Sequence, residues 1–381
     1  MDAELTAVGE RIRSLMPLGM NQRKLAEKAQ MTPDALSRAL NGQRGFSSTE
    51  LARIARQLGA DLYWLITGSP DPQKVDIAAR HQWDSRQRTR KNPGRQDDDN
   101  LLNLVIAAYR AAFPDGPPAT PPLPEDPQQL RERLGDSFVR HFAEAVESQL
   151  DVDVVRLSGL TTDYSLTIGQ RAVVVLATMP GWFRSNWSLA HELGHLALGH
   201  HDGYVSTNQN NEGPADQFAA NLLLPSDLMS QITWRDLDER GLVNFLWETG
   251  VSTEALKNRL ASLRQAPSAD VLEALARTTP KLIRAQATAD GSINGEVAVT
   301  QREQQASTRL VPSRLVEALH RQVEANKASP KYLAWALDVP VDELDFPEPD
   351  ETTHADNYAQ MLEDRPAATE LEKWLAMSGP Q

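Results

Sequence analysis

Between Pro114 and Pro127 the chain places seven prolines in fourteen residues. Proline locks φ and lacks a backbone N–H, so this stretch can be neither helix interior nor central strand. It reads as an extended, semi-rigid spacer and as the best domain boundary in the chain. At 381 residues the chain exceeds one ordinary core, and two or three domains are expected. No apolar run is long enough to span a membrane. The opening residues have no basic region ahead of an apolar stretch, so no signal peptide is expected. The absence of cysteine excludes disulfides and thiolate metal sites and fits a cytoplasmic location. A net charge of −13 argues against a general nucleic-acid coat. The charge is uneven, though: residues 1–70 hold nine Lys/Arg against seven Asp/Glu, and Arg86, Arg88, Arg90, Lys91 and Arg95 follow as a basic run. A local DNA-binding face near the N-terminus stays open.

Residues 9–67 carry apolar positions at helical spacing: Leu25, Ala26, Ala29, Leu36, Leu40, Leu51, Ile54, Ala55 and Leu58. Thr32-Pro33-Asp34 starts a helix, Asn41-Gly42 stops it, and Ser47-Ser48-Thr49-Glu50 opens the next with a capping box. Residues 70–98 are polar and read as a linker, with a short helix near Val75–Trp83; Leu101–Phe113 is an apolar helix. Beyond the spacer come a helix over about Leu130–Leu150, strands at Val152–Leu157 and Arg171–Ala177, and helices at Leu189–Leu198 and Pro214–Leu224. The chain is helical again over 226–270 and mixed over 271–308, with a hairpin near 291–295. A last helical unit spans Pro312–Leu344, and an acidic tail follows Pro347, with a short helix near Leu371–Leu375. The expected divisions are residues 1–69, a linker at 70–127, a core at 128–268, and a mostly helical accessory region at 269–381.

The strongest chemical signal is His191-Glu192-Leu193-Gly194-His195. Histidines four apart on a helix share one face, one turn apart, and can bind one metal. Glu192, beside a ligand but not itself one, can accept the proton of an attacking water. Leu189, Leu193 and Leu196 mark the buried stripe. A catalytic zinc needs a third protein ligand. One candidate is His201, at the metzincin offset, although the glycine of that pattern stands one place late, at Gly199. The preferred candidate is Glu212, which with Asp216 resembles the Glu-x-x-x-Asp signature of gluzincins, where the Asp hydrogen-bonds a ligand histidine. The plain alternative for Asp216 is a carboxylate at a helix start. His200, His201 and Tyr204 are candidate oxyanion stabilisers, or solvent-facing loop side chains. Two histidines and one carboxylate favour Zn2+, with Mn2+ left open.

Three blocks then converge on one resemblance: Arg184 with Trp187-Ser-Leu-Ala-His-Glu-Leu-Gly-His195; Glu212 to Asp216 with Phe218-Ala-Ala-Asn-Leu-Leu-Leu-Pro225; and Val251-Ser-Thr-Glu-Ala-Leu-Lys-Asn-Arg-Leu260. In order and spacing, residues 130–265 resemble the ImmA/IrrE family of metallopeptidases. Members often carry a second Glu where this chain has Pro214, which leaves Glu212 as the Glu available there. The resemblance implies an α+β gluzincin-like peptidase core and a protein substrate, typically a transcriptional repressor or antitoxin of a stress or mobile-element response.

Asn21-Gln-Arg-Lys-Leu-Ala26, Met31 to Gly42 and Leu51 to Gly59 resemble the Xre/Cro-type helix-turn-helix family. The resemblance implies an all-α domain whose second motif helix enters the major groove of double-stranded DNA. Thr32, Asp34, Ser37 and Arg38 would then meet base edges, and Gln22, Arg23 and Arg44 would meet phosphates. The alternative is a small bundle that binds protein. The segment Ala328 to Pro340 resembles a degenerate helix-turn-helix, poor in basic residues and better suited to packing or protein contact. The whole reads as a multidomain, mainly α protein with a helical C-terminal region: a DNA-binding regulator joined to a zinc endopeptidase. Two alternatives are a metal-dependent regulator without proteolysis and a regulator that cuts its own 70–127 segment. No membrane partner is expected, and a homodimer stays open.

Overall fold

The computed structural model describes residues 3–79, 82–84, 89–91, 95–201, 211–290 and 295–344. The expected hairpin near 291–295, the acidic tail with its short helix, and the side chains of the basic run at 86–95 lie outside the described residues.

The first unit is five short helices: α1 (Ala3–Ser14), α2 (Gln22–Lys28), α3 (Pro33–Leu40), α4 (Ser48–Leu58) and α5 (Leu62–Thr67). Each of the last four starts where a side chain accepts an otherwise orphaned N–H. Asn21 caps α2, Thr32 caps α3 with Pro33 in its first turn, and Asp61 caps α5. Ser47 and Glu50 form the reciprocal capping box expected for α4. Ile12, Leu25, Leu36, Leu40, Ile54 and Leu65 close a separate core, each fully buried.

The second unit is built on a four-stranded sheet. Six strands are described: β1 (Val75–Ala79), β2 (Gln82–Asp84), β3 (Thr89–Lys91), β4 (Asp153–Leu157), β5 (Tyr164–Ile168) and β6 (Arg171–Ala177). The sheet order is β1-β5-β6-β4, while β2 and β3 pair with each other. Neighbours β1/β5 and β5/β6 are antiparallel, and β4/β6 are parallel. Leu310 bridges Arg156 and so covers the outer edge of β4. Every residue of β6 is buried, because helices cover both faces; such strands read as unbroken apolar runs, as Val173-Val174-Val175-Leu176 does.

The helices of this unit are α6 (Arg95–Ala112), α7 (Pro127–Leu134), α8 (Phe142–Leu150), α9 (Trp182–Ala197), α10 (Glu212–Leu223), α11 (Ser226–Ser230), α12 (Glu239–Thr249), α13 (Thr253–Ser262), α14 (Ala269–Leu275), α15 (Thr279–Asp290), α16 (Gly295–Ser307), α17 (Ser313–Glu324) and α18 (Pro330–Leu337). On one face of the sheet, Val154, Val174 and Leu176 join a core with side chains of α7 to α10 and α12 to α16. On the other face, Val75, Ile77, Val155, Leu166, Val173 and Val175 meet α6, α17 and α18. The alternation of Val173, Val174 and Val175 between the two cores follows from the period of two in a strand.

Several expectations are corrected. Val75–Ala79 is a strand rather than a linker helix: all five residues pair with β5 in register, and Val75 and Ile77 are buried. Helix α6 supplies Leu102, Val105 and Tyr109 to the same core. Residues 114–126 of the proline-rich stretch hold no helix or strand, as expected, but they strap onto the sheet rather than separate domains. Thr120 donates its N–H to Gln170, and its hydroxyl accepts from Ala172 N–H. The expected helix over 130–150 is broken at Gly135, where φ is +80, and Ser137, where φ is +56. The segment 271–308 is helical in its described part, and α14 to α16 belong to the main core. Helices α17 and α18 pack on the sheet, the structural role expected of that degenerate motif.

A buried charge network fastens the sheet to α6 and α17. Arg171, 1% exposed, pairs with Asp153 and Asp151. Tyr109 donates to Asp153 at 2.6 Å, and Arg314 pairs with Asp151. Asp98 likewise accepts from Thr161 N–H at 2.8 Å and from the Tyr164 hydroxyl at 2.6 Å, tying the start of α6 to the start of β5. Among the described residues, no helix is long and apolar enough to cross a membrane.

Candidate metal centre

Helix α9 lies against β5, β6 and α10, and its segment from Ser188 to His195 is buried throughout. A helix so enclosed can hold polar side chains only where they meet partners. His191 and His195 supply one pair. Their Nε2 atoms are 3.1 Å apart, because residues four apart stack one turn above the other. Glu212, at the start of α10 and 2% exposed, closes the corner: its carboxylate oxygens lie 3.5 Å from His191 Nε2 and 3.7 Å from His195 Nε2.

These three residues fit a single small cation. Two ligands about 2.0–2.2 Å from a tetrahedral ion stand about 3.4 Å from each other, close to the three separations found. Burial, reinforced by His191 and partly offset by Glu212, pushes the His195 imidazole down to about 3. The neutral ring is the form that binds a metal. Among the described residues, the group able to hold a metal is His191, His195 and Glu212; His201 is outside it.

The surroundings orient the ligands. Asp216, one turn after Glu212, stands 2.9 Å from His191 Nδ1, the carboxylate–histidine pairing that fixes a ligand ring. His200 Nδ1 stands 2.9 Å from His195 Nδ1, behind the ligand ring rather than beside the shared Nε2 corner. That position suits orientation of His195. Tyr204 lies outside the described residues. Ser165, in the middle of β5, donates to Glu192 Oε2 at 2.8 Å, and both residues are fully buried. The sequence reading missed this serine. Its one signal was a polar residue inside the alternating run Tyr164-Ser165-Leu166-Thr167-Ile168.

Gly194 explains how the two helices meet. A β-carbon there would stand 3.1 Å from Phe218 Cβ and 3.2 Å from the Ala215 carbonyl oxygen. Glycine lets α10 approach α9 closely enough for Glu212 to reach both histidines.

In the N-terminal unit, Gln22, Arg23, Asp34 and Arg38 are exposed, and Ser37 is half-buried. Thr32 spends its hydroxyl on the cap, accepting from Ala35 N–H at 3.2 Å. Arg44 is occupied within the domain: it forms a two-point pair with Glu50 and donates to the Ala35 carbonyl. The bond from Arg44 holds the Glu50 carboxyl below its usual range.

Comparison with known proteins agrees with this division. Residues 147–261 match the family model of the IrrE N-terminal-like domain of peptidase family M78. Residues 13–65 match the helix-turn-helix family model. No curated protein matches the chain. Among solved structures, the chain matches the crystal structure of Bacillus thuringiensis PlcR in complex with the peptide PapR7 and DNA. Identity there is 12%, over 84% of this chain and 98% of that one, with a TM-score of 0.18; a likeness at that score carries nothing over to this chain. The two family matches sit on the two units described above: a helix-turn-helix domain at residues 13–65 and an IrrE-like, protease-like domain at residues 147–261.

Proposed function

We propose that this protein binds double-stranded DNA through α1–α5 and cleaves a regulatory protein, a repressor or an antitoxin, with a zinc-dependent endopeptidase centred on Glu192. The observation that carries the reading is the buried corner of His191, His195 and Glu212, with a further carboxylate, Glu192, set beside it and oriented by Ser165. A purely structural metal site has no use for that additional acid. Zinc held there would supply Lewis acidity toward the scissile carbonyl and toward water.

The chain's own residues would do the rest. Glu192 accepts the proton of the attacking water and later delivers it to the leaving amine. Ser165 keeps Oε2 of that carboxylate fixed. Asp216 and His200 hold the two imidazoles in the tautomer that presents Nε2 to the metal. Exposed Asp34 and Arg38 on α3, with Gln22 and Arg23 on α2, are proposed to meet DNA. The self-cleaving alternative loses support at Val75–Ala79, because a peptide bond paired in a sheet is not presented to a protease in extended, accessible form.

The test compares new protein N-termini in cells carrying wild type or Glu192→Gln, sampled under DNA damage and other stresses. A terminus seen with wild type alone, and reproduced with purified proteins, supports the peptidase. Its absence under every stress, with transcription still altered by loss of the gene, supports a metal-dependent regulator without proteolysis.

A further inference from the structure

A cavity lies against helix α9 on the side away from the metal corner. Metal ligands His191 and His195 face β5 and α10, whereas Trp182, Ser185, Asn186 and Leu189 line an open cavity of about 600 Å3 shared with Phe138–His141, α8, α16 and the segment after it. At about 3.6 residues per turn, these two sets of side chains lie roughly half a turn apart around the helix. The cavity is therefore not part of the metal corner.

Its charge is unlike that of the chain. The lining carries Arg140, Arg156, Arg302 and Arg309 against a single acid, Glu144, in a protein of net charge −13. Arg140 pairs with Glu248. The other three donate to neutral carbonyls: Arg156 to Gln305 and Thr308, Arg302 to Trp247, and Arg309 to Trp335 and Ala336. Burial pushes the guanidinium of Arg302 down to about 10, with Arg140 adding to the effect, and burial lowers those of Arg156 and Arg309 too. These guanidinium groups are thus held in a partly desolvated place, where burial outweighs the pull of the nearby acids Glu248, Asp163, Glu147 and Asp338.

Two residues of the lining also carry a buried donor. Trp182 is 5% exposed, and its indole Nε1–H, like Arg156 Nε, has no hydrogen-bond partner among the described residues. A buried indole N–H ordinarily finds an acceptor.

We propose that this cavity binds a nucleoside phosphate. Arg156, Arg302 and Arg309 would take the phosphate groups, since planar guanidinium donors match phosphate oxygens in pairs. The apolar wall of Trp182 and Leu189 would take the base, with Gln301, Gln304 and Gln305 offering both donors and acceptors to its edge. The volume lies within the range of small-molecule sites, roughly 300–1,000 Å3. Because the wall is the back of α9, the ligand bears on the helix that carries His191, Glu192 and His195. The binding claim does not depend on the peptidase reading.

The test is calorimetric titration of the full zinc-loaded chain, near 0.15 M salt, with mono- and diphosphates of adenosine, guanosine and uridine, and with inorganic pyrophosphate. At least one nucleotide should bind saturably at one site per chain. Arg156→Gln and Arg302→Gln should each weaken it by about tenfold or more, the effect of losing one hydrogen bond to a charged group, with unchanged circular dichroism. His191→Ala, which disrupts the metal corner, should bind as wild type does. The proposal is overturned if no nucleotide binds, if both arginine variants with native spectra bind as wild type does, if His191→Ala abolishes binding, or if pyrophosphate binds as tightly as the nucleotides. Binding of an acidic peptide in place of any nucleotide would overturn it as well.

Discussion

Replacing Gly194 with alanine tests how the metal corner is assembled. The new methyl would meet Phe218 Cβ at 3.1 Å, the Ala215 carbonyl oxygen at 3.2 Å and Ala215 Cα at 3.3 Å. Comfortable contacts lie at about 3.5–4.0 Å, so α10 must retreat by roughly 0.3–0.5 Å. Two energies oppose each other. Alanine in a helix interior gains up to about 1 kcal/mol over glycine, while overpacking costs about 1–3 kcal/mol. The net expectation is a loss of roughly 0–2 kcal/mol, or a fall of about 0–8 °C in melting temperature for a unit of this size. Metal affinity should respond more sharply. Glu212 rides on the same helix as Ala215, and such sites tolerate about 0.5 Å of error. Zinc affinity, measured by competition with a chromogenic chelator, should drop by about 10–100-fold, the range seen when ligand support is disturbed. Gly213→Ala is the control: its β-carbon would meet nothing within 4 Å, so affinity should hold. A Gly194→Ala protein that is more stable than wild type and binds zinc normally would refute the close-approach argument.

Asp216→Asn keeps the shape but removes the carboxylate facing His191 Nδ1; zinc affinity should fall by about 10–100-fold, and an unchanged value in the chelator assay would count against its orienting role. Ser165→Ala removes the donor to Glu192 Oε2. It should lower turnover of the proposed peptidase by about 10–100-fold while zinc content, read by mass spectrometry, stays at one per chain. Glu147 has a pH signature. Burial raises its carboxyl from 4.5 to about 7, against the lowering effect of the Val154 N–H. Between those values the folded chain holds a proton that the unfolded chain has lost, so this group favours folding below about pH 4.5 and its contribution declines as pH rises to 7. After discounting for solvent screening, the loss is about 1–3 kcal/mol. Urea denaturation should show Glu147→Gln gaining that amount over wild type at pH 8 and little at pH 4.5; parallel pH profiles would refute it.

Local chemistry made the N-terminal unit and the metal ligands legible. Thr32, Ser47 and Glu50 cap their own helices through bonds three residues long, and His191 and His195 need one helical turn to meet. The strand β6 was legible because both of its faces are covered. Less was visible where the partner is distant. Val75–Ala79 has its hydrogen bonds satisfied by Tyr164–Ile168, and nothing within the segment announces that. Gly135 and Ser137, both at positive φ, break an apolar pattern that periodicity alone reads as continuous. The pairing of Arg44 with Glu50 was hidden because Glu50 also belongs to the capping box, and one carboxylate serves both. The proline strap misled for a related reason: proline excludes regular elements but says nothing about whether the chain around it packs.

The placement of β1 has a consequence for how the protein is made. Its ladder partner β5 begins at Tyr164, 85 residues after Ala79. At about 5–20 residues per second, the ribosome takes roughly 4–17 s to deliver that partner, and α17 arrives later still. The helical unit ending at Thr67 has a core of its own and can close as soon as it emerges. Each nascent chain therefore passes through an interval in which the helix-turn-helix is complete while the edge of the enzyme-like sheet waits unpaired, so a message truncated within that interval would encode a DNA-binding module trailing an open strand.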